Sequence, residues 1–186
     1  MSGRNCVGCI VVALTSLLTA APVAPGATCP DYGETAVICA INAERQAAGR
    51  PPVAPHPKLA LAARRHARDM VRRRYFSHTT LGGRSMTDRL FAVGYLARGI
   101  GRWAVGEVLA WGAGARSTPA ATVAAWMQSP SHRRVLLWPD YDQVGVGIEP
   151  GTPFGGSGAT FAAEFGGTPP VRIPGTATVK LATRTG

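Results

Sequence analysis

The order of the predicted secondary-structure elements indicates an α+β domain in which helices are layered against a sheet. Segments with helical apolar spacing come first in the chain, and β-like runs come mostly last. The regular strand–helix alternation that builds a doubly wound parallel sheet is missing. With 186 residues there is room for one compact domain and short extensions, and 46% apolar residues exclude a disordered polyelectrolyte.

The first 27 residues have the pattern of a secretory signal peptide. Arg4 precedes an apolar run at residues 7–21, and a small-residue segment interrupted by prolines follows. This run of about fifteen residues is shorter than the roughly twenty that span a bilayer, so we expect cleavage, between Ala20 and Ala27. The product would be secreted or cell-wall associated, without a transmembrane segment.

The four cysteines divide between the signal peptide and the domain. Cys6 and Cys9 form a C-x-x-C pair inside the segment expected to be removed, so we give them no redox or metal role. Cys29 and Cys39 remain, and an oxidising compartment favours a disulfide between them. Such a bond would fix the N-terminal segment to the first helix.

Five helices are predicted. The first, residues 34–48, places Arg45 among polar residues opposite its apolar side and stops at Gly49. The second, residues 57–74, opens with a proline and repeats apolar residues at spacings of three and four.

Capping residues mark the other three helices. Ser85 and Asp88 predict a capping box for a short helix that ends near residue 94. A fourth helix covers residues 118–128. Ser129 and Pro130 predict the cap and first turn of a fifth, which continues through Leu137.

Three β-like runs complete the domain, at residues 103–111, 144–148 and 159–165. Beyond residue 166 the chain is rich in Thr, Pro and Gly. We therefore predict a domain over residues 28–166 and a C-terminal tail over residues 167–186.

Few residues have a sequence context that suggests a catalytic or metal-binding role. The signature motifs of serine hydrolases, P-loop proteins, zincins and dinucleotide-binding proteins are missing. Glu107 lies within an apolar strand, and a buried carboxylate needs a partner, for which histidine is suited. His78 and His132 are the candidates, whereas His66 lies on the apolar stripe of its helix and is expected to be a core histidine.

Several segments together resemble one family. They are NAERQAAGRPPVAPHPKLALAARRHARDMVRRRYFSH, S-x-x-D-R-L, VGEVLAWG, AAWMQSPSHRRVLL, VGVG and AAEFG, in this order over about residues 38–166. They resemble the bacterial branch of the CAP superfamily, which includes the cysteine-rich secretory proteins, antigen 5 and the plant pathogenesis-related proteins. The resemblance implies a three-layer α-β-α sandwich with a central, largely antiparallel sheet.

The resemblance also implies a cleft in which histidine and glutamate side chains converge. His78 matches the F-S-H histidine, Glu107 the G-E-N glutamate and His132 the S-P-G-H-R histidine. Val108 and Val135 stand where the family usually has asparagine, which removes two orienting amides. The second glutamate of eukaryotic members would fall near Ser129 and is absent.

Three functions follow from these residues. We favour a binding module for a lipid, a wall polymer or a protein ligand. The alternatives are a metal-dependent hydrolase using Glu107 with His78 and His132, and a structural wall or spore-coat protein. No residue is assigned as catalytic, because no nucleophile or oxyanion site is identifiable, but the two histidines and the glutamate suit a divalent metal such as zinc.

The formal net charge of +10 comes mainly from arginine. Four arginines of the second helix, Arg64, Arg65, Arg68 and Arg72, lie opposite its apolar stripe. They predict contact with anionic wall polymer or lipid headgroups, although a simple solvated face gives the same pattern. Without interleaved aromatic residues we expect no nucleic-acid binding, and we expect a monomer.

Overall fold

The computed structural model describes residues 28–97 and 103–168. The predicted signal peptide, with Cys6 and Cys9, lies outside the described residues, as does nearly all of the predicted tail. The described helices are α1 (Gly33–Ala47), α2 (Pro57–Arg73), α3 (Met86–Ala92), α4 (Pro119–Gln128) and α5 (Pro130–Leu136). The strands are β1 (Ala54–Pro55), β2 (Ala104–Gly112), β3 (Gln143–Pro150) and β4 (Ala159–Gly167).

The predicted helices form within two residues of their expected ends. The capping box between Ser85 and Asp88 is present at α3, and the Thr118 hydroxyl caps α4. Ser129 is the N-cap residue of α5 and Pro130 opens its first turn, as predicted, but the Ser129 hydroxyl contacts His132 and makes no cap hydrogen bond. The short strand β1 was not predicted, since two residues carry no periodic signal.

The four strands form one sheet in the order β1-β3-β4-β2. β4 is antiparallel to both β2 and β3, whereas β1 is parallel to β3. Helices α2 and α3 cover one face, while α1, α4 and α5 cover the other. The three-layer sandwich with a largely antiparallel sheet is therefore confirmed.

Two glycines bring α2 unusually close to the sheet. A Cβ atom on Gly145 would lie 1.9 Å from the backbone nitrogen of Ala60, and one on Gly147 would lie 2.3 Å from that of Arg64. Any side chain at these two β3 positions would push the helix away. The close approach brings the inward face of α2, which carries His66, against the sheet.

The opposite face carries the larger core, in which Trp126 and two phenylalanines of β4 pack against α1. Arg45 lies within this region. The prediction of a polar, outward position for Arg45 is wrong, because the residue is fully buried. Its guanidinium donates to the carbonyl oxygens of Pro51, Leu136, Trp138 and Tyr141 at 2.6–3.2 Å.

The predicted disulfide is present and joins Cys29 to Cys39 in α1, with 5.6 Å between the Cα atoms. It ties the segment that precedes α1 to the middle of that helix, as expected. None of the helices in the described ranges is long and apolar enough to span a membrane.

Candidate functional site

Two glutamates face each other across the sheet. Glu107 of β2 and Glu164 of β4 are directly paired in the antiparallel register, so their side chains leave the same face, toward α2 and α3. Both residues are buried, and Glu164 is fully so. The register, fixed by nine consecutive residue pairs between β2 and β4, thus places two carboxyl groups side by side in the protein interior.

Arg89 of α3 neutralises this pair. Its Nη2 donates to Oε2 of Glu107 and, at 3.4 Å, to Oε1 of Glu164. Its Nη1 donates to the carbonyl oxygen of His78 at 2.8 Å. One guanidinium therefore links both strands to the loop that carries His78, and it does so from the last turn of a short helix fixed by its capping box.

His78 completes the cluster on its outer side. The ring Nδ1 lies 2.6 Å from Oε1 of Glu107, and because a carboxylate only accepts, Nδ1 is the protonated nitrogen. The side chain is nonetheless 59% exposed. Since Nδ1 is held by Glu107, the Nε2 of the neutral ring is left as a fixed hydrogen-bond acceptor.

His66 approaches the same carboxylate from α2. Its ring Nε2 lies 3.0 Å from the carbonyl oxygen of Ser77 and 3.8 Å from Oε2 of Glu107. Burial, the largest cause, lowers the pKa of His66, so the ring is neutral at physiological pH. His66 is buried as predicted, but it adjoins the polar cluster rather than an apolar core alone.

His132 stands apart from the carboxylates. Its Nδ1 lies 2.8 Å from the Ser129 hydroxyl, one turn earlier in the chain. Burial, followed by the electrostatic interaction with His78, lowers the pKa of His132. The structure thus joins His78 to Glu107 directly, whereas His132 is related to them through its electrostatic interaction with His78.

The pKa values of the two carboxyl groups are shifted in opposite directions. Burial alone would raise the pKa of Glu107, but the hydrogen bond from His78 and the charge of Arg89 outweigh it and lower that pKa. Burial and the neighbouring charge of Glu107 raise the pKa of Glu164 well above its usual range. Glu164 therefore keeps its proton to a higher pH than Glu107 does. Its Oε2 is buried without a hydrogen-bond partner.

A comparison with models of protein families shows which family this chain belongs to. The model of the cysteine-rich secretory protein family, CAP, matches residues 38–162, which is more than half of the chain. The chain belongs to the CAP family. The Bacillus subtilis protein YkwD is 34% identical to it over 122 residues, which cover 64% of this chain and 44% of YkwD. The CAP domain described here therefore spans less than half of that relative.

Two solved structures with the same fold are bacterial proteins. An extracellular protein containing an SCP domain from Bacillus anthracis has a TM-score of 0.58 and 24% identity, over 71% of this chain and 39% of that chain. An outer surface protein from Borrelia burgdorferi has a TM-score of 0.58 and 23% identity, over 71% of this chain and 90% of that chain. At these identities the likeness concerns the fold alone, and this protein is a CAP-domain protein of bacterial type.

Two members of the cluster were not identified from the sequence. Glu164 stands in the apolar run AAEFG, the same kind of position that drew attention to Glu107. Arg89 stands in the S-x-x-D-R-L motif, where it has the ordinary place of a cation near a helix C-terminus. The feature that identified Glu107, an acidic residue within an apolar strand, could have identified Glu164 as well.

The donor set does not fit a divalent metal as it stands. The described ranges contain no group of three or more His, Cys, Asp or Glu side chains placed to hold one. Both oxygens of Glu107 already accept hydrogen bonds, one from His78 and one from Arg89. A cation bound there would have to displace a guanidinium or lie beside it.

The four arginines singled out on α2 have different surroundings. Arg64 makes two hydrogen bonds of 2.6 Å to Glu34, and Arg68 lies 3.4 Å from Glu149. Arg65 lines a cavity between α2 and α3, and Arg72 is exposed. Two of the four charges are therefore already balanced by carboxylates on this surface.

Proposed function

We propose that this CAP-domain protein is a secreted binding module for a hydroxyl-rich cell-wall polymer, with His78 as its main polar contact. The observation that carries the proposal is the fixed, exposed ring of His78, whose Nδ1 donates to Glu107. Arg89 holds Glu107 in place by a hydrogen bond to its other oxygen. Nε2 then accepts a hydrogen bond from a ligand hydroxyl without losing rotamer freedom on binding.

An aromatic groove adds an apolar surface for the same ligand. It has a volume of about 420 Å³ and is lined by Trp103 and Val105 at the start of β2 and by Arg134 and Trp138 of α5 and its end. The two tryptophans are nearly half exposed. The two elements that line the groove also carry Glu107, in β2, and His132, in α5. Concave apolar walls with a few polar groups are typical of ligand sites, and indole faces suit the C–H faces of sugar rings.

The geometry supports catalysis less well. Within the described ranges, the hydroxyl that bonds to a cleft histidine is Ser129, which contacts His132 from the same helical turn. Glu107 orients His78 rather than His132, so the nucleophile–base–acid series of a hydrolase is not assembled. A metal-dependent hydrolase would further need Glu107 to exchange Arg89 for a metal ion.

Three features support an extracellular location. The sequence begins with a predicted signal peptide, and two proteins of the same fold are described as an extracellular protein and an outer surface protein. The disulfide between Cys29 and Cys39 suits an oxidising compartment. A wall polymer is the ligand that such a protein meets first.

Co-sedimentation with purified peptidoglycan sacculi tests the proposal. We expect His78→Ala and Trp138→Ala each to weaken binding about tenfold, as the loss of a central contact does. Thr79→Ala and Trp111→Ala are the matched controls, because Thr79 neighbours His78 and Trp111 is as exposed as Trp138 but lies outside the groove. Both controls should bind like the wild type.

The other ligand classes are outcomes of the same experiment. Binding to lipid vesicles but not to sacculi would overturn the polymer and indicate a lipid ligand. Binding to sacculi that survives both His78→Ala and Trp138→Ala would indicate a structural wall protein without a specific cleft.

A further inference from the structure

A second, positively charged cavity lies on the α2–α3 side of the molecule. It has a volume of about 240 Å³, below the roughly 300 Å³ at which drug-sized ligand sites begin. Its charged lining consists of Arg65, Asp69 and Arg73 from α2, Arg84 from the following loop and Arg89 from α3. Neither His78 nor His132 lines it, so it is separate from the proposed polymer cleft.

The cavity lining carries more positive than negative charge. Arg89 is engaged with the two buried glutamates, and Arg73 lies 3.7 Å from Asp69. Arg65 and Arg84 have no carboxylate partner among residues 28–97 and 103–168, and both are exposed. Two guanidinium groups with free donors therefore converge on one small space, a pattern suited to an oxyanion with several acceptor oxygens.

The inner wall holds two buried nitrogen atoms without partners. They are Nε of Arg89 and Nδ1 of His66, and both residues line the cavity. The Nε of Arg89 is a donor. Because His66 Nε2 faces the carbonyl oxygen of Ser77 and carries the ring proton, Nδ1 is an acceptor. Buried polar groups are rarely left unpaired, and these two require a ligand that both accepts and donates.

We propose that this cavity is a binding site for a phosphoryl group with a free P–OH, as in inorganic phosphate or a phosphate monoester. The unprotonated oxygens accept from Arg65, Arg84 and Nε of Arg89, and the P–OH donates to Nδ1 of His66. Inorganic phosphate keeps a P–OH at neutral pH, and a monoester carries one in its monoanionic form, because its second pKa is about 6. A carboxylate, a sulfate and a phosphate diester at neutral pH lack such a proton. The proposal does not rest on the polymer cleft.

Isothermal titration calorimetry of the purified protein with inorganic phosphate, glycerol phosphate, dimethyl phosphate and sulfate tests it. We expect one phosphate per chain, and at least about tenfold weaker binding of sulfate and of the diester, the effect of one charge-assisted hydrogen bond. Tighter binding of glycerol phosphate than of inorganic phosphate identifies a monoester as the ligand, and the reverse identifies free phosphate.

A matched pair of double variants separates a built site from general charge. Arg65→Gln with Arg84→Gln removes the two unpaired cations of the cavity, and we expect at least about a tenfold loss of phosphate affinity. Arg68→Gln with Arg72→Gln removes the same charge outside the cavity and should leave the affinity within about twofold. All four positions are exposed, so both proteins should fold. Absence of phosphate binding, equal losses in the two variants, or equal affinity for sulfate would overturn the proposal.

Discussion

Glu107 and Glu164 are directly opposed across β2 and β4, and their pKa values are shifted in opposite directions, that of Glu107 downward and that of Glu164 upward. Glu107 accepts from His78 on one oxygen and from Arg89 on the other, and Glu164 lies directly opposite it in the sheet. The exposed ring of His78 is thus held by a buried network that spans the sheet and α3. The network explains how a loop histidine has a fixed orientation.

Replacing Glu164 with Gln should remove a pH-dependent loss of stability. Burial and the charge of Glu107 raise the pKa of Glu164 above 4.5, so the folded protein keeps a proton that the unfolded chain releases. The stability contributed by this group is complete below the unfolded-state pKa and falls as the pH rises toward the folded-state pKa. Urea unfolding from pH 4.5 upward should show the wild type losing free energy of unfolding relative to Glu164→Gln. A constant difference across this range would contradict the assignment.

Replacing Arg89 with Gln should strongly destabilise the protein. The side chain is 9% exposed, and its removal leaves ionised Glu107 beside Glu164 without the guanidinium. Breaking a buried ion pair in this way costs about 3–5 kcal/mol. Chemical denaturation measures the loss, and Arg116→Gln, which removes an exposed guanidinium, is the control. If Arg89→Gln unfolds at the same urea concentration as the control, Arg89 does not neutralise the pair.

The sequence predicted the helices around this site better than the buried charged residues within it. Apolar spacing and capping residues located the helices, because these signals are local. Glu107 and its histidine partner followed from an acid within an apolar strand together with the family resemblance. Glu164 and Arg89 did not, because their roles depend on the register of β4 with β2 and on the packing of α3.

Arg45 shows the same limit on the other face of the sheet. Its position opposite the apolar residues of α1 predicted exposure, yet the side chain reaches carbonyl oxygens before α2, at the last residue of α5 and beyond that helix. Hydrogen bonds to distant backbone atoms leave no periodic trace in a sequence. The charge is tolerated because every terminal nitrogen of the guanidinium has an acceptor.

Arg45→Met should therefore lower the free energy of unfolding by about 3 kcal/mol or more, because it leaves buried carbonyl oxygens without donors. Arg50→Gln, at an exposed position just after the same helix, should change it by less than about 0.5 kcal/mol. Thermal or urea unfolding of the two variants measures both values. An Arg45→Met protein as stable as the Arg50 variant would show that the four backbone contacts contribute little.

The central claim is that Glu107 fixes His78 as an acceptor for the ligand, and nitrogen-15 NMR of the His78 ring tests it most directly. The spectrum should show a protonated Nδ1 and an unprotonated Nε2 for the neutral ring, and addition of a soluble wall glycan should shift the Nε2 resonance. A proton on Nε2 in the free protein, or an Nε2 resonance that stays in place while the glycan binds, would contradict the account.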